Sequence, residues 1–281
     1  MRNINEYHRP KQLDEALSLL ARRGVATVPI GGGSALIAEA RPDVEAVVDL
    51  RDLNLTYVRR DGDTLRVGAT TTLQALIDSP ESAQAWGGEL ARAAALTAAR
   101  NLREQGTLAG MLVSAAHNNP LAVMLLAVGA AMTLLTPDSQ TVSLDKFFTQ
   151  RTALFPGALI TEIAIPLPRP GEAVAFEKVS RTPADLPIVC VAVKTRIDIR
   201  IARDVRIGLG SVGAAPMRAT RSEQALEGQS LDRRLIDVAA KTIGEEVDPP
   251  SDFMGSAEYR REMATVLARR ALTKVMETAR G

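Results

Sequence analysis

Leu13, Ala16, Leu17 and Leu20 recur at i, i+3, i+4 and i+7, so residues 11–23 are expected to form an amphipathic helix stopped by Gly24. The apolar run VATVPI predicts a strand over 25–30. GGGS follows, then SALIAEA reads as a short helix and EAVVDL at 45–50 as a second strand, giving a compact strand–loop–helix–strand unit. YVRR and TLRVGA bracket Asp61, Gly62 and Asp63 and read as a hairpin. Thr71 or Thr72 is placed to cap the helix LQALIDS, because a threonine oxygen accepts from the open amides of a first turn. Alanine-rich helical sequence fills 86–100, and QGTLAGML at 105–112 forms a second glycine-containing loop. The longest apolar stretch, LAVMLLAVGAAMTLL at 121–135, falls short of the roughly 20 residues of a membrane span and predicts a buried helix running into a strand.

Beyond residue 158 the texture turns to β: ALITEIAIPLP, AVAFEKVS, PIVCVAVKTRI and VRIGLGSVG are rich in Ile and Val and separated by Pro, Gly and Asp. RSEQALEG, LDRRLIDVAAKTIG and EYRREMATVLARRALTKVM carry helical spacing with many charges, as helices packed by one face on a sheet do. The proline-rich LPRPGE at 167–172 marks the expected domain boundary, dividing the 281 residues into 1–170 and 171–281.

Composition narrows the chemistry. A formal net charge of +1 with 24% charged residues offers no basic excess for a nucleic-acid partner. The N-terminal MRNINEYHRPKQLDE has no apolar core behind its charges, so an intracellular, cytoplasmic protein without a transmembrane segment is expected. The single cysteine, Cys190, lies in the apolar run IVCVAV and reads as a buried strand residue; one thiol builds no disulfide, iron–sulfur cluster or cysteine-rich zinc site. His8 and His117 lack the spacing of a metal pair and are expected in solvated loops.

Three glycine-containing segments compete for a phosphate. GLGSVG at 208–213 satisfies G-x-G-x-x-G after the strand VRI, but Pro216 follows closely, and helical LDRRLIDVAAK stands where a second strand with an acidic end belongs. A strand end turning into a helix is the expected reading there. At 31–34, amides at a helix start with no side chain in the way form a positive concavity suited to a pyrophosphate, although strand–glycine–helix is also a common connector. Gly106-Thr107-Leu108-Ala109-Gly110 offers the same chemistry with a hydroxyl donor at Thr107, so the two loops can grip both ends of a diphosphate.

The order GGGSAL, VVDL, VGATTTLQAL, LREQGTLAG, LLAVGA, FFTQRTALFPGALITEIAIP, FEKVSRTPADLPIVCVAV, GLGSVGAAPMRATRSEQALEG and YRREMATVLARRAL covers nearly the whole chain. In that order and spacing it resembles the FAD-binding medium subunit of the molybdenum hydroxylases, of the carbon monoxide dehydrogenase and xanthine dehydrogenase type. The resemblance implies an α+β fold: a vanillyl-alcohol-oxidase-type FAD-binding domain in two subdomains, then a smaller C-terminal α+β domain of the carbon monoxide dehydrogenase flavoprotein type. It implies non-covalent FAD held through Ile30, Gly31, Gly32, Gly33, Ser34, Ala35 and Leu36, and through Gly106, Thr107, Ala109, Gly110 and Ser114. Arg103, Ile160, Lys178 and Asp185 also match family positions; a flavin role is assigned to Ile160 and Lys178, while salt-bridge, core and turn roles remain open for all four. No catalytic acid or base and no metal ligand is expected in this chain. A large molybdopterin-binding subunit and a small [2Fe-2S] subunit are the implied partners, the chain passing electrons from the clusters to an external acceptor.

The sequence departs from the family at the second loop, where Thr107-Leu108-Ala109-Gly110-Met111 replaces T-I-G-G-N, and at Pro120, where an acidic residue is common. Ala109 brings a methyl group to the backbone approach, and Met111 lacks the amide's hydrogen-bonding groups. These departures carry an alternative expectation, a non-catalytic scaffold of the same fold with lost or weakened FAD binding. A stand-alone flavin reductase resembling the enzyme that reduces enolpyruvyl-sugar nucleotides is disfavoured, because no serine is placed as its proton donor.

Overall fold

The computed structural model describes residues 4–39, 41–136, 138–154 and 157–278. The elements up to the second glycine loop are β1 (Glu6–His8), α1 (Leu13–Leu20), β2 (Thr27–Ile30), α2 (Ser34–Glu39), β3 (Ala46–Asp49), β4 (Val58–Asp61), β5 (Thr64–Gly68), α3 (Leu73–Asp78), α4 (Pro80–Ala83), a 3-10 turn (Ala85–Gly88), α5 (Glu89–Ala95), α6 (Arg100–Arg103) and α7 (Leu108–Val113). There follow α8 (Pro120–Val128), β6 (Ala131–Leu135), β7 (Ser139–Ser143), α9 (Leu144–Leu154), β8 (Leu159–Pro166), β9 (Glu172–Val179), β10 (Val189–Asp198), β11 (Ile201–Gly210), β12 (Met217–Arg218), α10 (Thr220–Leu226), α11 (Arg233–Glu246) and α12 (Ala257–Thr278). The mixture of helices and strands is the expected α+β class.

Two compact units share these elements: 1–82 with 99–114 and 131–165, and 83–98 with 115–130 and 166–281. The first holds a three-stranded parallel sheet, β1-β3-β2, and a five-stranded sheet, β4-β5-β8-β6-β7. Central β3 is buried along its whole length, as the unbroken apolar run AVV requires when neighbours flank a strand on both edges. The hairpin β4–β5 turns at Gly62 with φ +57°, a conformation glycine adopts without a Cβ clash. Thr72, not Thr71, caps α3, its Oγ1 accepting from Ala75 N–H at 3.1 Å.

Two local expectations are corrected. The helical stretch 86–100 is broken, because Trp86, Gly87 and Gly88 all take left-handed backbone angles while the buried indole N–H donates to Pro166 O at 2.9 Å. His8 lies on β1 with Nε2 2.8 Å from Glu6 Oε2, and His117, though in a loop, has a buried Nδ1.

The second unit is a four-stranded antiparallel sheet, β12-β11-β10-β9. Strand alternation sends Val189, Val191, Val193, Val205, Ile207 and Leu209 into one apolar core with α10, α11 and α12. The facing pairs Ala192–Gly208 and Cys190–Gly210 belong to the opposite face. There α8, buried at all nine positions, sits so close that a Cβ on Gly208 would lie 2.4 Å from Val123 O, and one on Gly210 would lie 2.8 Å from Val123 Cγ2. The first two glycines of the G-x-G-x-x-G match are therefore a helix-packing surface at the end of a strand. A turn at Ser211 (φ +68°) and the short β12 follow β11, so the strand does not pass directly into a helix. Cys190 is buried on β10 as expected, and burial pushes its thiol up to about 12, which leaves it inert.

A charged cluster is buried at one end of this sheet. Burial alone would raise the Glu172 carboxyl, but hydrogen bonds from Arg169 and from Lys194 Nζ, 2.6 Å away, hold it at about 2. With the folded value below the ordinary 4.5 of a glutamate, the carboxylate contributes stability above about pH 4.5 that is lost as pH falls toward 2. Glu172→Gln is expected to flatten the acid limb of a pH–stability curve, and an unchanged acid limb contradicts this. Gly208→Ala, forcing α8 away from β11, is expected to cost about 1–3 kcal/mol in urea denaturation, and an unshifted midpoint contradicts the close packing.

Candidate functional site

Strand β2 is an edge strand, and Leu50 N–H donates to Ile30 O at 3.0 Å where it ends. The chain then enters Gly31-Gly32-Gly33. Gly33 has φ +74°, and Ile37 N–H closes on its carbonyl at 3.0 Å to start α2. Ser34, Ala35 and Leu36 thus form the opening turn, whose amides have no acceptor one turn back in the helix.

The second loop is fixed to the chain around α3. Leu73 N–H donates to Gly106 O at 2.9 Å, Leu108 N–H to Thr71 O at 2.8 Å, and Thr72 and Thr107 form an antiparallel bridge. Thr107 Oγ1 caps α7 by accepting from Gly110 N–H at 3.2 Å, which leaves the hydroxyl proton to donate elsewhere. Ser114 Oγ donates to Gly110 O at 2.8 Å, which leaves its oxygen lone pairs to accept.

These loops touch each other. A Cβ on Gly32 would fall 1.7 Å from Gln105 O, and one on Gly31 would fall 2.8 Å from Thr107 Oγ1. The missing side chains of these glycines, expected to admit an anion, also admit the second loop. A Cβ on Gly106 would lie 3.1 Å from Leu102 O of its own preceding turn and 3.6 Å, an ordinary contact, from Ser34 Oγ of the first loop.

Beside this contact opens a cavity of about 610 Å³. It brings together Ile30, Gly31, Gly32, Gly33, Ser34, Ala35 and Leu36 from the first loop, Thr107, Ala109, Gly110 and Ser114 from the second, and Ile160 from β8. Gly106 does not line it. Lys178 belongs to the other unit, on β9, where Nζ donates to Ser180 Oγ, Pro183 O and Asp185 O at 3.0, 2.8 and 3.0 Å and burial lowers its pKa. Asp185 closes the same turn by accepting from Thr182 N–H at 3.1 Å. Arg103 Nε donates to Gln74 Oε1 at 3.0 Å.

Sequence reading missed the cavity walls given by Thr27, Val28 and Pro29 of β2, by Leu50, and by Ala158 and Leu159 beside Ile160. It also missed Glu39 and Arg41 at the end of α2. Strand alternation could have flagged Ala158, two residues before Ile160; nothing local in the sequence marks the others. Of the departures from the family pattern, Ala109 is at the cavity wall with its amide bonded to Ala69 O at 3.3 Å, whereas Met111 is buried and does not line the cavity. Pro120 occupies the first turn of α8 behind the cap Asn119, whose Oδ1 accepts from Ala122 N–H at 3.0 Å, a position where proline costs no hydrogen bond.

Two amide-bearing glycine loops at one cavity, in an α+β chain, define a nucleotide-diphosphate-binding flavoprotein class. Residues 2–168 match the family model described as the FAD binding domain in molybdopterin dehydrogenase, and residues 174–275 match the CO dehydrogenase flavoprotein C-terminal domain. The chain belongs to this family, the FAD-binding medium subunits of molybdenum hydroxylases, and is thus an oxidoreductase component. It is 32% identical to the carbon monoxide dehydrogenase medium chain of Afipia carboxidovorans, over 98% of each chain. It is 28% identical to the glyceraldehyde dehydrogenase medium chain of Sulfolobus acidocaldarius, over 96% of this chain and 97% of that one. Among solved structures, a carbon monoxide dehydrogenase from Hydrogenophaga pseudoflava that lacks the Mo-pyranopterin moiety superposes with a TM-score of 0.89 at 30% identity, covering 98% of each chain.

The residues present fit FAD. The two loops offer backbone amides and hydroxyls to a diphosphate, and Glu39 is the one carboxylate among the described residues lining the cavity. No group of three or more metal-ligating side chains occurs among the described residues, and no described helix is long and apolar enough to cross a membrane.

Gly32→Ala drives a methyl into Gln105 O and is expected to part the loops, lowering stability by about 3 kcal/mol, the upper end for overpacking. A thermal midpoint equal to wild type would show that the loops do not depend on this contact.

Proposed function

We propose that this chain is the electron-transfer subunit of a molybdenum hydroxylase complex, taking electrons from [2Fe-2S] clusters on a small partner and passing them to an external acceptor. Substrate oxidation then takes place at the molybdopterin of a large partner. The observation that carries this reading is the cavity built where the two glycine loops meet. Bound there, FAD supplies a carrier that accepts electrons from one-electron donors and delivers them as a pair.

The residues of the chain bind and orient the cofactor. The first-turn amides of Ser34, Ala35 and Leu36 and the Thr107 hydroxyl donate toward the diphosphate, where helix-start amides favour negative charge. Leu50, Leu159 and Ile160 supply apolar wall to the cavity, and no side chain is required as acid or base. A chain with one cysteine has no thiolate set for a cluster, so the iron–sulfur centres fall to a partner. Relatives named as subunits of complexes, including the caffeine dehydrogenase subunit beta of a Pseudomonas species at 27% identity over 97% of this chain, support such partners. We place the FAD-binding domain at 1–170, the C-terminal domain at 171–281, and the assembly in the cytoplasm.

The scaffold alternative is not favoured. Ala109 adds only a methyl at the wall of an open cavity, Met111 does not reach that cavity, and Pro120 completes a helix start.

Absorption spectroscopy of the purified chain, titrated with FAD alone and in its assembled complex, tests the proposal. Bands at about 370 and about 450 nm, those of any oxidised flavin, are expected to accompany the protein through gel filtration. A folded chain that holds no FAD in either state refutes it.

A further inference from the structure

The turn that leads into α12 holds an aromatic side chain out in water. Phe253 is 89% exposed, and a lone exposed hydrophobic residue is ordinary on a protein surface. What sets Phe253 apart is that its turn is fixed at several points. Asp252 N–H donates to Gly255 O at 3.1 Å and Gly255 N–H to Asp252 O at 3.2 Å, which closes the turn. Asp252 Oδ1 accepts from Met254 N–H at 2.7 Å. Ser251 Oγ accepts from Ala257 N–H at 2.8 Å and Ser256 Oγ from Tyr259 N–H at 3.1 Å, so both flanks of the turn are tied to the start of α12.

Beneath the turn lies Arg260, only 1% exposed. Its Nη2 donates to the two Asp252 carboxylate oxygens at 2.7 and 2.8 Å, and its Nη1 to Pro250 O at 3.1 Å. A buried guanidinium is strongly destabilising without its carboxylate, so this pair pins the turn to the helix. The base of the turn also packs on neighbours, since a Cβ on Gly255 would lie 3.2 Å from Ile188 Cγ2 and 3.3 Å from Tyr259 Cδ1. The phenyl ring therefore stands on backbone that is already ordered, which lowers the entropy lost on binding.

The surroundings of the ring are acidic. From 245 to 260 the chain carries Glu245, Glu246, Asp248, Asp252 and Glu258 against one cation, Arg260. Glu246 accepts from Ser222 Oγ at 2.7 Å, and Glu245 lies 3.9 Å from Arg221 Nη2. Asp248 and Glu258, on either side of the turn, are exposed and form no ion pair among the described residues.

We propose that Phe253, with the carboxylates of Asp248 and Glu258, is a docking point for a partner subunit that presents an apolar pocket rimmed by lysine or arginine. An aromatic anchor seated in such a pocket dominates binding, and the opposed charges steer it there. This rests on the reading of the chain as one subunit of a complex, and it names where on the second unit a partner is held. The full chain is co-expressed with its large and small partner subunits, and assembly is followed by sedimentation velocity at graded NaCl, with hydroxyl-radical footprinting of the free and the assembled chain. Phe253 is expected to lose labelling on assembly, and Phe253→Ser to weaken assembly by about tenfold or more. The double variant Asp248→Lys/Glu258→Lys is expected to assemble more weakly at low salt, with the difference from wild type narrowing as NaCl rises. Both sets of residues are at the surface, and melting curves matching wild type confirm folded variants. Phe253 labelled equally in the free and assembled chain, with Phe253→Ser assembling like wild type, overturns the docking point and leaves the subunit reading intact. An isolated chain that dimerises through Phe253 also overturns it, because the occupant is then a second copy. A wild-type chain that joins neither partner overturns the docking point and the subunit reading together.

Discussion

The contact between two backbone segments, Gly32 against Gln105 and Gly106, is the constraint on which the functional end of this protein depends. Any side chain at Gly32 would occupy the place of the Gln105 carbonyl, 1.7 Å from its Cβ position. Bringing the loops this close aligns the opening turn of α2 with the start of α7, so that donors from two distant stretches of sequence converge on one cavity. The second loop cannot drift away, because Gly106 O and Leu108 N–H are tied to Leu73 and Thr71. Thr107 adds both a cap to α7 and a hydroxyl proton directed by that cap.

The same device, glycine used for close approach, builds the second unit for a different end. Gly208 and Gly210 let α8 press on the sheet between Cys190 and Ala192, and the valines and isoleucines of the other face bury α10 to α12. One G-x-G-x-x-G sequence thus serves packing, while a plain glycine triplet serves the ligand cavity. What separates them is the backbone around each: a strand end pressed on by α8 in one case, an edge strand opening into a helix in the other.

This explains how much the sequence revealed. Hydrophobic periodicity located most strands and helices, because burial on one face or both imposes it directly. It failed at 86–88, where a buried tryptophan with a fixed hydrogen bond holds three residues left-handed, a tertiary demand with no local pattern. The glycine loops were legible as candidates, and the order of motifs along the chain supplied their meaning. Arg41 and Glu39 were not legible, since only the return of α2 along β2 brings them to the cavity. Lys178, singled out for the flavin, has its ammonium occupied by three acceptors of its own loop.

Family membership and cavity chemistry converge on an FAD-binding medium subunit. Hydrogen–deuterium exchange of the full chain with and without FAD is the most direct measurement of that account. Slowed exchange in both 31–37 and 105–114, with 201–213 unchanged, is the predicted result. Protection confined to 208–213, or absent from either loop, would contradict it.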